Sequence, residues 1–229
     1  MSHGRRGFER ARLVALSISP IVLALLVALL GSWTPGFSQR SQTVSSLGAP
    51  GQPHALAART VFVVYGLVVI IGAPLLGWHG GRQATWVVRL VAVYGVAGIV
   101  VGLAPKVLPG QRTDVSSEIH VVATIVGGGA VLAAMSVVAR WGPVRTDRLV
   151  GGATAAVTAV AAIVFPFTWG SQLYGVIERV LVVTAAGWIG LLAAWLLLGA
   201  GRLSTSRPPG RRAPSASPGR AGRGRPGSS

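Results

Sequence analysis

The chain has 229 residues, of which 51% are hydrophobic and only 11% are charged. Its net charge is nevertheless +16, because 21 basic residues stand against 5 acidic ones. This composition excludes a disordered chain, which is never this apolar, and an ordinary soluble domain, in which about a quarter of the residues are charged. It indicates a helical membrane protein. The absence of cysteine excludes disulfides, thiolate metal sites and thiol catalysis.

Long uncharged stretches between the charged residues predict six transmembrane helices. A helix needs about 20 apolar residues to cross about 30 Å of hydrocarbon. Five stretches meet this length directly, and the third meets it if Arg89 lies in the first turn with its side chain reaching the interface. The predicted spans are 13–33, 60–79, 86–105, 119–139, 149–169 and 177–199. The predicted fold class is therefore an all-α, polytopic membrane protein with six transmembrane helices.

The distribution of basic residues predicts the orientation of the chain. We divide it into a basic N-terminus (1–12), a transmembrane domain (13–200) and a disordered tail (201–229) rich in Arg, Pro, Gly and Ser. With six crossings both termini lie on one side, and that side holds 16 of the 21 Lys and Arg residues. By the positive-inside rule both termini are cytoplasmic. A twin-arginine export signal at Arg5-Arg6 is the alternative, but the apolar run that follows is longer than the 7–15 residues of a cleaved signal.

The same charges indicate location and partners. We expect a multi-pass protein of the cytoplasmic membrane, with anionic lipid touching its basic cytoplasmic face. Nucleic acid is not an expected partner, since the tail has no aromatic residue to stack on bases. Gly and Ala recur at the spacing that lets membrane helices pack closely, so another membrane protein is a possible partner. Arginine outnumbers lysine 20 to 1, which suggests a GC-rich, actinobacterial source.

Ionisable residues gather at the extracytoplasmic ends of helices four and six. The predicted polar cluster consists of Asp114, Glu118, His120, Glu178 and Arg179. Ionisable groups at membrane depth usually pair with one another or face a wet cavity. We therefore expect Arg179 to pair with Glu118 or Asp114. Such a pair would lock helix four to helix six, or the cluster would form a polar pocket for a lipid headgroup or small ligand.

Catalytic and metal sites receive less support from the sequence. A metal site of His120 with Asp114, Glu118 and Glu178 lacks a recognised ligand spacing. A serine hydrolase using Ser45 or Ser46 with His120 lacks the Gly-x-Ser-x-Gly elbow that presents such a serine. A phosphate-binding glycine-rich loop is also missing. We therefore assign no catalytic residue and expect neither a cofactor nor a metal.

Several motifs, in their order and spacing, resemble the DUF998 family of six-helix integral membrane proteins of bacteria and archaea. They are Thr43-Val44-Ser45-Ser46-Leu47-Gly48 in the first loop, Pro105 at the end of helix three, Ser117-Glu118-Ile119-His120, and Gly175-Val176-Ile177-Glu178-Arg179-Val180 followed by Trp188. The resemblance covers about residues 13–200. It implies a fold and a location but no established activity, and it draws attention to His120 and Arg179, which the family pattern also marks.

The first loop departs from the family pattern. Family members often carry an acidic residue where Ser46 stands, and an aspartate earlier in the loop that this chain lacks. If those acids do chemistry in the relatives, this chain has lost it. The sequence therefore favours a non-catalytic component, lipid-handling or a membrane scaffold, with a small polar site at the outer leaflet. The alternative is a membrane-embedded enzyme or transporter that uses Glu118, His120, Glu178 and Arg179.

Overall fold

The computed structural model describes residues 3–77, 81–108, 112, 114–142 and 144–205, and these residues form six α-helices. The helices are α1 (His3–Trp33), α2 (Ala55–Gly72), α3 (Gly81–Leu103), α4 (Val115–Trp141), α5 (Arg145–Val164) and α6 (Tyr174–Thr205). Short 3-10 helices cover Val44–Gly48, Ala73–Leu76 and Phe165–Thr168. All six helical segments are long and apolar enough to cross a membrane, and the described residues contain no strand. The predicted fold class is confirmed.

The helices form a closed ring around an apolar core. Each helix packs against the next one along the chain, and α1 closes the ring against α6. The most deeply buried large side chains are Leu16, Leu47, Leu76, Met135, Trp188 and Ile189. Most of the remaining large apolar side chains on α1, α4 and α5 point away from the bundle. A water-soluble protein does not expose such a surface, whereas lipid covers it favourably.

Small residues let neighbouring helices approach closely, as their spacing predicted. A Cβ atom on Gly102 of α3 would lie 2.7 Å from the Arg59 carbonyl oxygen of α2. A Cβ atom on Gly190 of α6 would lie 2.8 Å from Pro20 and 3.0 Å from the Ser17 carbonyl oxygen of α1. Glycine is needed at both positions because a side chain there would push the helices apart.

The observed spans are longer than the predicted ones, because charged residues do not end these helices. The spans are Gly7–Trp33, Ala55–Leu76, Gly81–Leu103, Val115–Trp141, Arg145–Thr168 and Tyr174–Leu198. Arg59 lies inside α2, where its Nε donates to the Gly48 carbonyl oxygen at 2.7 Å. We expected Arg89 in the first turn of the third helix, but α3 begins earlier, at Gly81, so Arg89 lies more than two turns into it. Its guanidinium stands 5.6 Å from the centre of the Trp86 ring. Each of these two side chains has a partner within the protein, so a charged residue here does not mark the end of a helix.

Prolines fall at two kinds of position. Pro20 lies inside α1, and because it lacks an N–H group the Ser19 hydroxyl donates instead to the Leu16 carbonyl oxygen at 3.1 Å. The predicted spans 60–79 and 149–169 place Pro74 and Pro166 inside α-helices as well. Both instead occupy the 3-10 segments that follow α2 and α5. Because proline lacks the N–H group that an α-helical hydrogen bond needs, the chain adopts the narrower 3-10 helix at these two positions.

The ends of the chain overlap the predicted terminal segments. Helix α1 begins at His3, within the predicted basic N-terminus, and α6 continues to Thr205, within the predicted tail. The rest of the tail, from residue 206, lies outside the described residues, as do Trp78 and His79. The beginning of α1 and the end of α6 belong to the same end of the bundle because the number of crossings is even. That this end is cytoplasmic remains a prediction from the arginine distribution.

Candidate functional site

The first loop, residues 34–54 between α1 and α2, folds back over the beginning of α6. Its 3-10 helix is largely buried, including the side chains of Val44, Ser46 and Leu47. The Val176 backbone N–H of α6 donates to the Arg40 carbonyl oxygen at 3.1 Å. We call this part of the molecule the first-loop end of the bundle. It is the end that the arginine distribution predicts to be extracytoplasmic.

Glu178 holds the 3-10 helix of the first loop against α6. Its carboxylate accepts hydrogen bonds from the Val44 backbone N–H and from the Ser45 hydroxyl, the latter at 2.7 Å. The Ser46 hydroxyl instead donates to the Thr43 carbonyl oxygen at 2.6 Å, within the loop. Of the two predicted loop serines, Ser45 therefore reaches the polar cluster, and Ser46 stabilises the turn itself.

Arg179 also binds the first loop. We expected it to pair with the carboxylate of Asp114 or Glu118 instead. Its Nη1 donates to the carbonyl oxygens of Gln42, at 2.9 Å, and Gly175, at 2.8 Å. Its Nη2 donates to Gln39 Oε1 at 2.7 Å. These acceptors are neutral, so the guanidinium organises the loop without closing an ion pair to helix four.

Three uncharged residues of this arrangement were not among the predicted site residues. Gln39 and Gln42 lack a charge, and the sequence offers no signal that a glutamine in a loop meets an arginine 140 or 137 residues away. Gly175 entered only as part of a motif. A Cβ atom there would overlap the Gln42 carbonyl oxygen and lie 2.8 Å from that of Arg40. The sequence did contain one signal for this close contact, namely Gly175, which lies one helical turn before Arg179.

Asp114 and Glu118 lie apart from Arg179, at the beginning of α4. Asp114 is the N-cap residue, and its carboxylate accepts a hydrogen bond from the Ser117 backbone N–H at 2.8 Å. Hydrogen bonds from Ser117, first of all from its backbone N–H, hold the pKa of Asp114 below its ordinary value. Both carboxylates are exposed to the surroundings. Their positions suit the positive end of the α4 dipole and not a site inside the bundle.

His120 joins α4 to the end of α3. Its Nδ1 lies 2.8 Å from the Ala104 carbonyl oxygen, so the neutral ring carries its proton on Nδ1 and leaves Nε2 as an acceptor. The Nε2 atom is buried and has no hydrogen-bond partner among the described residues. Two serines add to the same connection: the Ser116 hydroxyl donates to Pro105, and the Ser117 hydroxyl accepts from the Val107 N–H. This part of the predicted cluster therefore closes the α3–α4 hairpin.

Lys106 connects the two halves of the predicted cluster. Its ammonium lies 5.3 Å from the centre of the Trp169 ring and 5.9 Å from that of Tyr174, in cation–π geometry. Burial lowers the pKa of Lys106, and the negative charge of Glu178 raises it, so that the net value lies below the ordinary one. In the sequence Lys106 counts only as a loop charge, because the rings that surround it come from distant segments.

A groove of ≈ 170 Å³ lies beside Arg179, between α1 and α6. Its walls are apolar and come from Leu23, Ala24, Val27 and Ala28 of α1 and from Val182, Val183 and Ala186 of α6. Ala24, Ala28 and Val183 are exposed, so the groove is open on the lipid-facing side. Arg179 and Gln39 provide the polar groups of the lining.

Four of the five predicted cluster residues thus form two pairs with different structural roles. Glu178 and Arg179 hold the first loop, while Asp114 and His120 organise the α3–α4 hairpin. Glu118 remains exposed. Within the part of the chain that the structure describes, no three His, Asp or Glu side chains converge in a way that would hold a metal ion. The arrangement offers one cation next to an apolar groove rather than an acid–base pair.

Comparison with known proteins agrees with the architecture. No curated protein and no solved structure matches the chain. The profile of one family, described as Protein of unknown function (DUF998), matches residues 17–195. The matched region runs from α1 to α6 and contains both Glu178 and Arg179. The chain therefore belongs to the DUF998 family, in agreement with the resemblance of its motifs.

Proposed function

We propose that the protein binds a membrane lipid in the groove between α1 and α6, with the polar end of the lipid at Arg179. The observation that carries this proposal is that the groove has apolar walls and a charged group at one end. Its walls are apolar, it opens to the lipid side, and among the described residues Arg179 is the one charged group of its lining. An amphiphile matches such a surface because it presents a polar group and a hydrocarbon chain in the same order. In the orientation that the arginine distribution predicts, this polar end would lie at the outer leaflet.

The dimensions of the groove indicate how much of a lipid it holds. Along α1 it runs from Pro20 to Ala28, which is about 12 Å at 1.5 Å per residue. Its volume of ≈ 170 Å³ is below the roughly 300–1,000 Å³ of pockets that enclose a whole small molecule. It therefore takes part of one acyl chain, while the rest of the lipid stays in the bilayer.

The enzyme or transporter alternative receives less support from the geometry. It requires Glu118, His120, Glu178 and Arg179 to act together. Glu118 is exposed at the surface, and His120 binds the Ala104 carbonyl oxygen of the α3–α4 hairpin. Glu178 and Arg179 are both occupied by the first loop. The lipid-binding proposal needs only the groove and Arg179.

Filling the groove tests the proposal. Ala24→Phe places a ring in the groove, and Ala133→Phe places the same ring on an exposed, lipid-facing position of α4 as a matched control. Native mass spectrometry of the purified proteins then measures the co-purifying lipid. We expect lipid on the wild type and on Ala133→Phe, and loss of that lipid from Ala24→Phe. Equal lipid on both variants would contradict binding in this groove.

A further inference from the structure

The Gln39 side chain crosses the polar end of the α1–α6 groove. Its Nε2 donates to the Ala28 carbonyl oxygen of α1 at 3.0 Å, and its Oε1 accepts from Arg179 Nη2 of α6 at 2.7 Å. Space for this amide exists because residue 31 is glycine: a Cβ atom there would lie 3.0 Å from Gln39 Cδ and would overlap Nε2. One neutral amide thus bridges the two helices that form the groove.

The hydrogen bonds of Arg179 divide its guanidinium into two functional edges. Nη1 directs both of its N–H groups to the carbonyl oxygens of Gln42 and Gly175 and so keeps the first loop in place. The other edge consists of Nε and Nη2, and Gln39 is its hydrogen-bond partner in the described part of the chain. Two parallel N–H groups on one edge of a guanidinium are the arrangement that binds carboxylate or phosphate in a bidentate way.

We infer that the lipid bound in the groove carries an anionic polar end, a phosphate or a carboxylate, and that this anion replaces Gln39 on the Nε and Nη2 edge of Arg179. The inference rests on the proposed lipid binding and adds the chemical class of the ligand. Gln39 then acts as an internal competitor that occupies Arg179 when no anion is present. Because the amide is neutral, its hydrogen bond to the guanidinium is weaker than the hydrogen bonds between opposite charges that an anion makes.

The charges around Arg179 are compatible with an incoming anion. Glu178 is the adjacent acidic residue and its negative charge acts on Arg179, but its carboxylate accepts hydrogen bonds from the Val44 N–H and the Ser45 hydroxyl and none from the guanidinium. The negative charge of Glu178 also acts on Lys106, whose pKa it raises. The hydrogen-bond acceptors of Arg179 are all neutral oxygens. An anion at the Nε and Nη2 edge would supply the negatively charged hydrogen-bond partner that this guanidinium does not have within the described residues.

Two substitutions of Gln39 test the inference in opposite directions. Gln39→Ala removes the competitor, and we expect tighter binding of anionic lipid by roughly threefold to tenfold. Gln39→Glu puts a carboxylate on Arg179, and we expect weaker binding of anionic lipid by at least about tenfold. Gln172→Glu makes the same charge change at an exposed position of the same end of the bundle and serves as the matched control.

The measurement is a lipid titration followed by native mass spectrometry in a non-ionic detergent. The probes are phosphatidylglycerol, palmitate, the uncharged lipid diacylglycerol and inorganic phosphate. We expect phosphatidylglycerol, palmitate or both to bind and to respond to the Gln39 substitutions, and their relative affinity distinguishes a phosphate from a carboxylate headgroup. Binding of diacylglycerol, which has acyl chains but no anionic group, should not depend on residue 39. Tryptophan fluorescence and gel filtration confirm that each variant is folded.

The outcomes separate the inference from the proposed function. If lipids bind in the groove but Gln39→Glu and Gln172→Glu have equal affinity for the anionic probes, the inference is wrong and lipid binding stands. If no lipid binds, or if Ala24→Phe leaves lipid binding unchanged, the proposed function itself is wrong. Binding of inorganic phosphate as tightly as phosphatidylglycerol would mean that the ligand is a soluble anion, and would overturn both.

Discussion

Gly175 is the point at which the first loop and α6 come closest, and Gly175→Ala tests this contact. The new Cβ atom would lie 2.8 Å from the Arg40 carbonyl oxygen and would overlap the Gln42 carbonyl oxygen. Both oxygens belong to the backbone, so rotation of a side chain cannot relieve the overlap. The loop segment that contains Arg40 and Gln42 therefore has to move away from α6, and the hydrogen bonds that these two carbonyl oxygens accept from α6 are lost.

The magnitude follows from the hydrogen bonds that the movement breaks. These are Val176 N–H to the Arg40 carbonyl, at 3.1 Å, and Arg179 Nη1 to the Gln42 carbonyl, at 2.9 Å. A neutral hydrogen bond contributes about 0.5–1.5 kcal/mol and one from a charged group about 1.5–3 kcal/mol. We therefore expect the free energy of unfolding to fall by about 2–4.5 kcal/mol. At an unobstructed helical site the same substitution raises it by about 0.5–1 kcal/mol.

Two other glycines supply the control for helix propensity. A Cβ atom added to Gly129 of α4 or to Gly187 of α6 would meet no atom within 4 Å, so alanine at either position should stabilise the protein. The assay is unfolding by sodium dodecyl sulfate in mixed micelles, followed by the fluorescence of the seven tryptophans. Thiol-reactive dyes do not apply because the chain has no cysteine. If Gly175→Ala were as stable as the two controls, the close contact of loop and helix would be refuted, and with it the position of Arg179.

Three further predictions concern the loop, the topology and the N-cap of α4. Ser45→Ala removes a charge-assisted hydrogen bond to Glu178 and should lower the free energy of unfolding by about 1.5–3 kcal/mol in the same assay; no change would contradict that bond. In intact cells a membrane-impermeant maleimide should label Gln172→Cys but not Arg145→Cys, and the reverse pattern would invert the topology. The pKa of Asp114 is lowered by folding, so its stabilising effect is complete above about pH 4 and is lost as the pH falls through the folded-state value. The stability difference from Asp114→Asn, measured by the same fluorescence, should be constant between about pH 5 and 8 and should change only below about pH 4.

Glu178 and Arg179 show how two adjacent charges reach different partners. Adjacent helix residues are about 100° apart around the axis, since one turn takes 3.6 residues. Glu178 therefore meets the 3-10 helix of the first loop, and Arg179 meets the segment before it, at Gln39 and Gln42. The result is a loop fastened at two points, with the guanidinium at the edge of the groove.

Hydropathy predicted the six helices because it is a local property of each segment. The charged residues predicted the helix ends less well. Arg59 and Arg89 lie inside helices, where Arg59 donates a hydrogen bond to the Gly48 carbonyl oxygen and Arg89 lies near the Trp86 ring. The depth of the polar residues was also predictable, because each sits near the end of a helix. Which of them meet was not predictable, because contact depends on the rotation of each helix about its axis. Glu118 and His120 are two residues apart, yet one is exposed and the other buried.

Composition and motifs along short stretches of chain were enough to predict the number of helices, their approximate bounds, the family and the expected orientation. The folded chain was needed to show that the first loop lies on α6, that Gln39 bridges α1 and α6, and that Arg179 borders an apolar groove. These contacts join segments about 140 residues apart and arise because α1 closes the ring against α6. Long-range contacts between neutral groups leave no periodic or charge signal in the sequence. The polar end of the groove could therefore not be predicted and was recognised only in the structure.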